Sequence, residues 1–247
     1  MATLPALLLG VTPAQEQAHE NLDCATVAHM AYQIDANLRL TRLSRQSFHS
    51  GGLLYCTALA PPPPRAELRP LLMQLARECT ARQYRGVVAD LPAGWEAAAG
   101  QLDDALLRQG LTLYLPEPFS AAAKRAKLLV STAISGGTLR QRLESAVQRY
   151  GKERVVPALE RSAEDFIPPS RTGSGRRLTR SDLSDLRRRI HPNVFWSPEL
   201  CARYFTYAAE GRTHFVLFDD RETMQAKLRL CGELGFPTCF AVWEELQ

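Results

Sequence analysis

The sequence predicts a (β/α)₈ barrel, and three observations carry that prediction. The chain has 247 residues, a length that suits one domain of barrel size. Eight short apolar runs alternate with amphipathic segments along it. Most of these runs are continuously apolar, which is typical of parallel strands buried on both faces. An open doubly wound sheet is the alternative, but it needs fewer strands and would leave the last runs unassigned.

The eight predicted strands are spread over the whole chain. They are Leu4–Val11, Thr26–Ile34, Gly52–Leu59, Gly86–Asp90, Leu111–Leu115, Lys127–Ile134, Arg154–Leu159 and Thr238–Trp243.

Capping signals and apolar periodicity place helices between the strands. In Glu67–Ala81 the apolar residues recur at the i, i+3, i+4, i+7 spacing of one helix face. Thr138 is followed three residues later by Gln141, a capping-box pattern that predicts a helix running to Tyr150. Asp220 is the predicted N-cap of a last helix that ends at Gly235.

Residues 162–218 are too long for a single crossover between two strands. They contain a Gly/Ser/Arg loop (Arg171–Arg177), a helix start near Thr179, and an apolar run at His214–Phe218. Ser197-Pro198-Glu199 reads as an N-cap followed by Pro in the first turn, which predicts another helix. We therefore expect one barrel domain over residues 1–247, with residues 162–218 inserted between strands seven and eight. The Pro61–Pro64 stretch is interpreted as a stiff spacer.

Composition and charge exclude several classes of protein. Hydrophobic residues make up 45% and charged residues 23%, a globular balance that excludes wholesale disorder and collagen-like or coiled-coil chains. The net charge is +4, with only Arg176–Arg189 densely basic. We interpret that stretch as the solvated face of a helix with Leu183, Leu186 and Ile190 on its buried side. The alternative is contact with an anionic surface such as teichoic acid or nucleic acid, although a nucleic-acid partner is not favoured.

Neither a cofactor nor a metal is predicted. The chain has no GxGxxG and no GxxxxGK[ST] motif, and its five histidines form no HxH or HExxH pattern. Six cysteines form no CxxC pair, and several lie inside apolar runs, which favours buried reduced thiols and a cytoplasmic protein. The apolar N-terminal run has no basic residue before it, so it is interpreted as a strand and not as a signal peptide. No apolar run is long enough to span a membrane.

Functional residues of such barrels lie at the C-terminal ends of the strands. That rule selects aromatic and carboxylate residues with some hydroxyls, namely Tyr32, Asp35, Tyr55, Thr57, Asp90, Tyr114, Glu117, Ser131–Ser135, Glu160, Asp165, Trp243 and Glu244. Rings that stack on sugar C–H faces and carboxylates that bond to hydroxyls suit a carbohydrate. The same rings could equally be core residues.

Three segments resemble the family 18 glycoside hydrolases, especially the bacterial group found in spore-coat and spore-germination proteins. AHMAYQIDANLRLT (28–41) is similar to the second strand and its turn, and TLRQRLESAVQRYGKERVVPALE (138–160) to the helix and seventh strand. FVLFDDRETMQAKLRLCGELGFPTCFAVWEEL (215–246) is similar to the closing unit, with an Asp before a Lys-bearing helix and a last strand ending in Trp. The resemblance implies that Trp243 is the barrel-floor ring that stacks on the sugar. It also implies an N-acetylglucosamine-containing ligand, with Tyr32, Tyr55, Asp90, Tyr114 and Glu160 beside it, and adds spore association to the cytoplasmic expectation.

The fourth strand departs from that family's catalytic signature, Asp-x-x-Asp-x-Asp-x-Glu. Here Arg85 and Val88 replace two acids, Asp90 is retained, and Pro92 stands where the proton-donor Glu belongs. Proline cannot donate a proton, and general acid catalysis is worth about 10²–10⁴-fold in rate. The resemblance therefore implies a pseudo-glycosidase that binds amino-sugar polymer or a protein partner without cleaving it. Two alternatives stay open: an active glycosidase with Glu96, Glu117 or Glu160 as a relocated acid, and a scaffold barrel that binds no sugar.

Overall fold

The computed structural model describes residues 3–18, 26–44, 50–168 and 175–246. The first eight strands all belong to one sheet: β1 (Ala6–Val11), β2 (Thr26–Ile34), β3 (Leu40–Arg42), β4 (Leu53–Ala58), β5 (Gly86–Asp90), β6 (Thr112–Pro116), β7 (Lys127–Ser131) and β8 (Val155–Leu159). The next five form a second sheet: β9 (Ala163–Phe166), β10 (Arg176–Arg177), β11 (Phe195–Ser197), β12 (Ala202–Ala209) and β13 (Arg212–Phe218). Strand β14 (Thr238–Val242) returns to the first sheet.

Helices separate most of the strands. The α-helices are α1 (Pro13–Ala18), α2 (Arg69–Arg82), α3 (Glu96–Leu107), α4 (Leu139–Tyr150), α5 (Arg180–Ile190) and α6 (Arg221–Glu233). Two 3₁₀ turns, Glu117–Ala121 and Trp243–Leu246, follow β6 and β14. The predicted caps Thr138 and Asp220 are present, and Thr179 caps the helix predicted to start near it. Each of these side chains accepts a hydrogen bond from the backbone N–H three residues on.

The first sheet closes into a barrel of eight parallel strands. The order is β1-β14-β8-β7-β6-β5-β4-β2, and β2 pairs back to β1. Closure is made by β14, which pairs with β1 from Ala6↔Thr238 onward and with β8 at Phe240↔Ala158. Strand β3 is an antiparallel addition to β2. The predicted (β/α)₈ barrel is therefore confirmed, with each of the eight predicted strands in place.

Side chains alternate between the inside and the outside of the barrel wall, as they must on a strand. The interior is filled by Leu8, Ala28, Leu53, Tyr55, Val88, Val156, Ala158 and Phe240. The intervening residues pack outward against helices, in one cluster around α2 and α3 and another around α4 and α6. The parity of a residue on its strand therefore decides whether it can reach a ligand in the mouth.

The second sheet has the order β10-β9-β13-β12-β11 and is antiparallel throughout. Helix α5 packs on one of its faces through Leu186, against Phe205, Val216 and Phe218. The helix predicted near Thr179 is confirmed, but the one predicted from Ser197 is wrong. Strand β11 ends at Ser197 and pairs with β12 at Ala202, so the chain turns back between them.

The polar signal at Ser197 belongs to that turn. Its Oγ accepts a hydrogen bond from the Leu200 N–H at 3.3 Å, and Cys201 takes a φ of 50°. A capping-type side chain serves a tight turn as well as a helix start, because both leave N–H groups unpaired. Residues 171–174 of the predicted Gly/Ser/Arg loop lie outside the described residues.

The described cysteines, Cys56, Cys79, Cys201, Cys231 and Cys239, are free and buried, as predicted, whereas Cys24 lies outside the described residues. Within the described ranges, no helix is both long enough and apolar enough to cross a membrane.

Candidate functional site

A cavity of about 520 Å³ opens at the C-terminal ends of the barrel strands. Its wall is made by inward-facing residues of β4 to β8 and β14, and its rim by the first residues of the second sheet. The residues that carry polar groups or rings into it are Tyr55, Asp90, Ser131, Glu160, Arg161, Ser162, Glu164, Arg177, Phe240 and Glu245. The cavity thus combines two aromatic rings with several carboxylates.

Asp90 is the last residue of β5. Val88, two residues earlier, packs in the barrel interior, and the same parity turns Asp90 toward the cavity. Burial raises the pKa of the Asp90 carboxyl above its usual range, because the cavity walls remove part of its hydration. The Asp90 side chain remains exposed at the mouth, where a ligand can reach it.

Tyr55 provides the aromatic floor together with Phe240. Their rings stack with centroids 6.2 Å apart and planes 17° from parallel. Burial is the main cause that raises the pKa of Tyr55, followed by the negative charge of Asp90, with smaller contributions from Cys56 and Glu160. The phenol therefore stays protonated and keeps a hydroxyl available for hydrogen bonding.

Glu160 follows β8 and is fixed from two directions. The Ser131 hydroxyl donates to its Oε2 at 2.5 Å, and its own backbone N–H donates to Thr132 Oγ1 at 3.2 Å. Ser131 and Thr132 lie at the end of the neighbouring strand β7, so this strand end contacts the Glu160 carboxylate through Ser131 and its backbone through Thr132.

The rim of the cavity mixes both signs of charge. Glu164 belongs to β9, and Arg177 belongs to the short strand β10 that pairs with it at that residue. Glu245 accepts a hydrogen bond from the Arg161 backbone N–H at 2.7 Å. The second sheet and the last 3₁₀ turn therefore both border the mouth.

A buried ion pair supports this region from behind. Lys227 of α6 and Asp219 are 1% and 0% exposed in their side chains, and their charged atoms are 2.7 Å apart. The Lys227 ammonium also donates to the Glu160 carbonyl at 3.0 Å, and Asp219 accepts from the Ser162 N–H at 2.7 Å. This pair ties the backbone on both sides of Arg161 to α6 and to the end of β13.

Tyr32 does not reach the cavity, in contrast to its predicted place there. The register of β2 against β4 shifts between Met30 and Tyr32, so that Tyr32 pairs with the outward-facing Cys56. This β-bulge inserts one residue and moves the side chains after it to the other face. The Tyr32 hydroxyl instead donates to Glu78 of α2 at 2.8 Å, outside the barrel wall.

Trp243 is also displaced from its expected position, and strand alternation is the reason. On β14, Phe240 and Val242 face the barrel interior, while Cys239 and Ala241 face the helices. Trp243 continues the outward set and packs in the cluster around α4 and α6. The structure therefore gives Phe240, not Trp243, to the floor beside Asp90.

Tyr114 faces inward but lies deeper than the cavity lining. It packs against the interior cluster in the middle of β6, and Pro116, two residues on, is the lining residue of that strand. Burial raises the pKa of Tyr114. Tyr114 supports the floor of the cavity from below.

Two of the three alternative acids are engaged elsewhere. Glu96 begins α3 and accepts from the Gly94 N–H at 3.2 Å, away from the cavity lining. Glu117 forms an ion pair with Arg142 of α4, which lowers the pKa of Glu117. Of the three, the structure brings only Glu160 into the cavity with Asp90.

Of the departures from the signature, only Val88 lies within β5, whereas Arg85 precedes the strand and Pro92 follows it. Arg85 immediately precedes the strand and is exposed, so it lies about 16 Å from Asp90 at 3.3 Å per residue. It cannot influence the charge state of a residue at the mouth, contrary to what its place in the motif suggests. Pro92 begins the turn to α3, in which Gly94 has a φ of 95° and lies so close to Pro61 that an added Cβ would be 2.7 Å away.

Further carboxylates that the strand-end rule selected have structural roles. Asp35 accepts from the N–H groups of Asn37 and Arg39 in the turn between β2 and β3. Asp165 is buried in the second sheet, where it accepts from the Tyr207 hydroxyl and contacts His214.

Sequence reasoning missed the ring of Phe240 and the rim charges. Asp90 faces inward at the end of its strand. Strict alternation of side chains along the last strand would have placed Phe240 on the same inward face. Glu164, Arg177 and Glu245 reach the mouth only through tertiary packing, for which the sequence holds no local signal. Among residues 3–18, 26–44, 50–168 and 175–246, no group of three or more His, Cys, Asp or Glu side chains could hold a metal ion.

Neither a model of a known protein family nor a curated protein matches the chain. Solved structures with the same architecture do match. The chitinase of Chromobacterium violaceum ATCC 12472 superposes with a TM-score of 0.64 at 15% identity, covering 98% of this chain and 94% of that one. The class V chitinase of Pseudomonas fluorescens Pf-5 gives 0.63 at 16% identity, with 98% and 95% covered.

The spore cortex-lytic enzyme SleL of Bacillus megaterium QM B1551 gives a TM-score of 0.63 at 14% identity, covering 98% of this chain and 71% of that one. A class V chitinase variant from Nicotiana tobaccum, solved in complex with NAG4, gives 0.58 at 11% identity, with 98% and 94% covered. The chain therefore shares the closed (β/α)₈ barrel fold of these chitinases and spore cortex-lytic enzymes.

Proposed function

We propose that the barrel mouth binds a chain of N-acetylglucosamine-type sugars and does not hydrolyse it at an enzymatic rate. The observation that carries the proposal is the cavity in which Tyr55 and Phe240 stack beside Asp90 and Glu160. Apolar ring surface next to fixed carboxylates suits a ligand with C–H faces and hydroxyl or acetamido groups. The similarity to chitinases, one of them solved with NAG4, points to the same ligand class.

Pro92 is the reason to expect no hydrolysis. In the signature that β5 resembles, the proton donor stands two residues after Asp90, and proline offers no side-chain proton there. Without a general acid at the leaving oxygen, about 10²–10⁴-fold of the rate is lost. Binding needs no such group, because a hydrogen-bonding carboxylate and stacked rings are sufficient.

A second candidate function rests on Glu160. Its carboxylate occupies the same cavity as Asp90 and is held there by the Ser131 hydroxyl. A fixed carboxyl beside a second carboxyl is the arrangement that glycoside hydrolysis uses, so Glu160 is the residue that would replace the missing donor. This candidate differs from the first only in turnover.

The experiment combines calorimetric titration with a turnover assay on the same ligands, namely N-acetylglucosamine oligomers of increasing length and peptidoglycan fragments. We expect binding that strengthens with oligomer length and turnover near background. Asp90→Asn and Tyr55→Ala should each weaken binding by about 10–100-fold, the equivalent of one lost charge-assisted hydrogen bond or stacking surface.

Glu96→Gln is the matched control, because Glu96 lies outside the cavity, and it should bind like the parent chain. Failure of every oligomer to bind would refute the proposal. Turnover of about 1 s⁻¹ or more that Glu160→Gln abolishes would establish the second candidate instead.

A further inference from the structure

A second concavity, of about 750 Å³, lies between α5 and the start of α6. Five of the residues that line it are arginines, and we call it the arginine groove: Arg161, Arg180, Arg187, Arg188 and Arg221. It includes much of the basic stretch 176–189 that the sequence singles out. The proposed sugar site makes no use of it, and Arg161 alone among these arginines also lines the barrel mouth.

The carboxylates in the groove are already committed to other cations. Asp219 is buried against Lys227 at 2.7 Å. Asp220 caps α6 by accepting from the Thr223 N–H at 3.0 Å and pairs with Arg203 at 2.5 Å. Each forms its ion pair with a cation outside the groove lining, and within the groove both charges act to raise the pKa of Arg161.

Three of the guanidinium groups have no carboxylate partner among the described residues. Arg180 donates to the Glu244 backbone carbonyl, and Arg187 lies 5.2 Å above the Phe218 ring. Arg221, the first residue of α6, is exposed. Arg188 has only an exposed pair with Asp185, and such pairs contribute little.

The positive charges in the groove act on one another. Partial burial, and after it the nearby charge of Arg180, lowers the pKa of Arg161. Five guanidinium groups share this concavity with two carboxylates, and such an excess of positive charge favours an anionic occupant.

We propose that the arginine groove binds a ligand with two or more linked phosphate groups. The guanidinium fork matches phosphate oxygens in a bidentate geometry, and several arginines along one concavity match several phosphates. The only Phe, Tyr or Trp in its lining, Phe218, is 1% exposed and covered by Arg187. The exposed His191 is then the ring of the lining on which a nucleobase could stack, so we take a phosphate chain as the occupant and make nucleic acid an outcome of the test.

The experiment measures binding of tripolyphosphate, pyrophosphate and orthophosphate by calorimetry at about 0.15 M salt, where the Debye length is about 8 Å and non-specific attraction is screened. A single-stranded oligonucleotide is titrated in parallel. We expect tripolyphosphate to bind more tightly than pyrophosphate, orthophosphate to bind weakest, and the oligonucleotide to bind more weakly than tripolyphosphate.

Arg187→Gln with Arg221→Gln should weaken tripolyphosphate binding by about tenfold or more, as expected for two lost charge-assisted contacts. Arg69→Gln with Arg108→Gln is the control, because it removes the same charge from exposed positions on α2 and the end of α3. It should change affinity less than about twofold. Arg221→Gln alone, at an exposed residue with no described partner, repeats the test without removing the ring contact of Arg187.

The proposal is overturned if tripolyphosphate fails to bind or if the control pair weakens binding as much as the groove pair. It is also overturned if the oligonucleotide binds more tightly than tripolyphosphate. Binding of N-acetylglucosamine oligomers should be unchanged in both double variants. The failure of either proposal is therefore visible without the other.

Discussion

At the scale of single residues, the cavity keeps Asp90 in an environment that its charged form does not prefer. Because burial raises its pKa, the folded chain holds the proton more tightly than the unfolded chain does. Stability contributed by this group therefore falls as pH rises from the unfolded pKa of about 3.9 to the folded pKa, and the loss persists above it.

We predict that Asp90→Asn stabilises the chain at pH 7. The gain should stay below about 1 kcal/mol, because the side chain is partly open to solvent. Urea unfolding of both chains between pH 4 and pH 8 measures it, and the difference should shrink toward pH 4. Glu144→Gln, at an exposed position in the middle of α4, is the control. A variant that is less stable than the parent at pH 7 would contradict the prediction.

Residue positions were predictable from the sequence only where strands are regular. Asp90 and Tyr55 lie where alternation and strand ends place them. Tyr32 follows a β-bulge, which no local pattern announces, and a one-residue shift reverses its face. Trp243 lies just past the end of β14. An alternation count that begins on the wrong face of this strand assigns the inward position to Trp243 instead of Phe240.

At the scale of elements, α6 connects the two sheets through Lys227, a charged residue that a sequence pattern would place on the solvent side of the helix. Lys227 is 1% exposed on the buried face of α6 and bonds both Asp219 and the Glu160 carbonyl. Breaking a buried ion pair by removing one partner costs about 3–5 kcal/mol, because the other charge remains buried.

We predict that Lys227→Met destabilises the chain by about that amount, measured by urea unfolding. Lys152→Met is the matched control, since the exposed Lys152 ammonium also donates to a backbone carbonyl, that of Leu234, and its loss should cost little. Adding Asp219→Asn to Lys227→Met should restore part of the lost stability. Equal stability of Lys227→Met and the control variant would contradict the assigned role.

The periodicity of α2, the start of α5 and the caps of α4 and α6 were readable because they are local features. The partner of Lys227 was not, since Asp219 becomes its neighbour only when β13 and α6 meet. Strand β12 was missed because its apolar and polar residues mix on a sheet covered by α5 on one face. The signal at Ser197 fits a helix cap and a turn equally, and only pairing with β12 decides between them.

At the scale of the whole molecule, the barrel and the second sheet are joined by several contacts near the mouth. Ser162 bonds Asp219 across the second sheet, and Arg161 and Arg180 bond Glu245 and Glu244 of the last 3₁₀ turn. We therefore expect residues 1–247 to unfold as one cooperative unit.

The prediction is a single urea transition with the same midpoint by far-ultraviolet circular dichroism and by tryptophan fluorescence. Trp95 is fully buried beside the barrel and Trp196 is 43% exposed on β11, so the two report on different parts. Trp196→Phe, which removes the reporter of the second sheet, should leave the fluorescence midpoint in place. Two transitions, one of them lost in Trp196→Phe, would show that the second sheet unfolds separately.

Closure of the barrel has a consequence for synthesis on the ribosome. Ala6 of β1 pairs with Thr238 of β14, so the hydrogen bonds of the first barrel strand are complete only after the last strand has been synthesised. Until β14 emerges, the growing chain presents two open sheet edges, β1 and β8, made of apolar sequence. Such edges pair readily with other chains. We therefore expect a truncated chain that lacks residues 238–242 to aggregate through these edges.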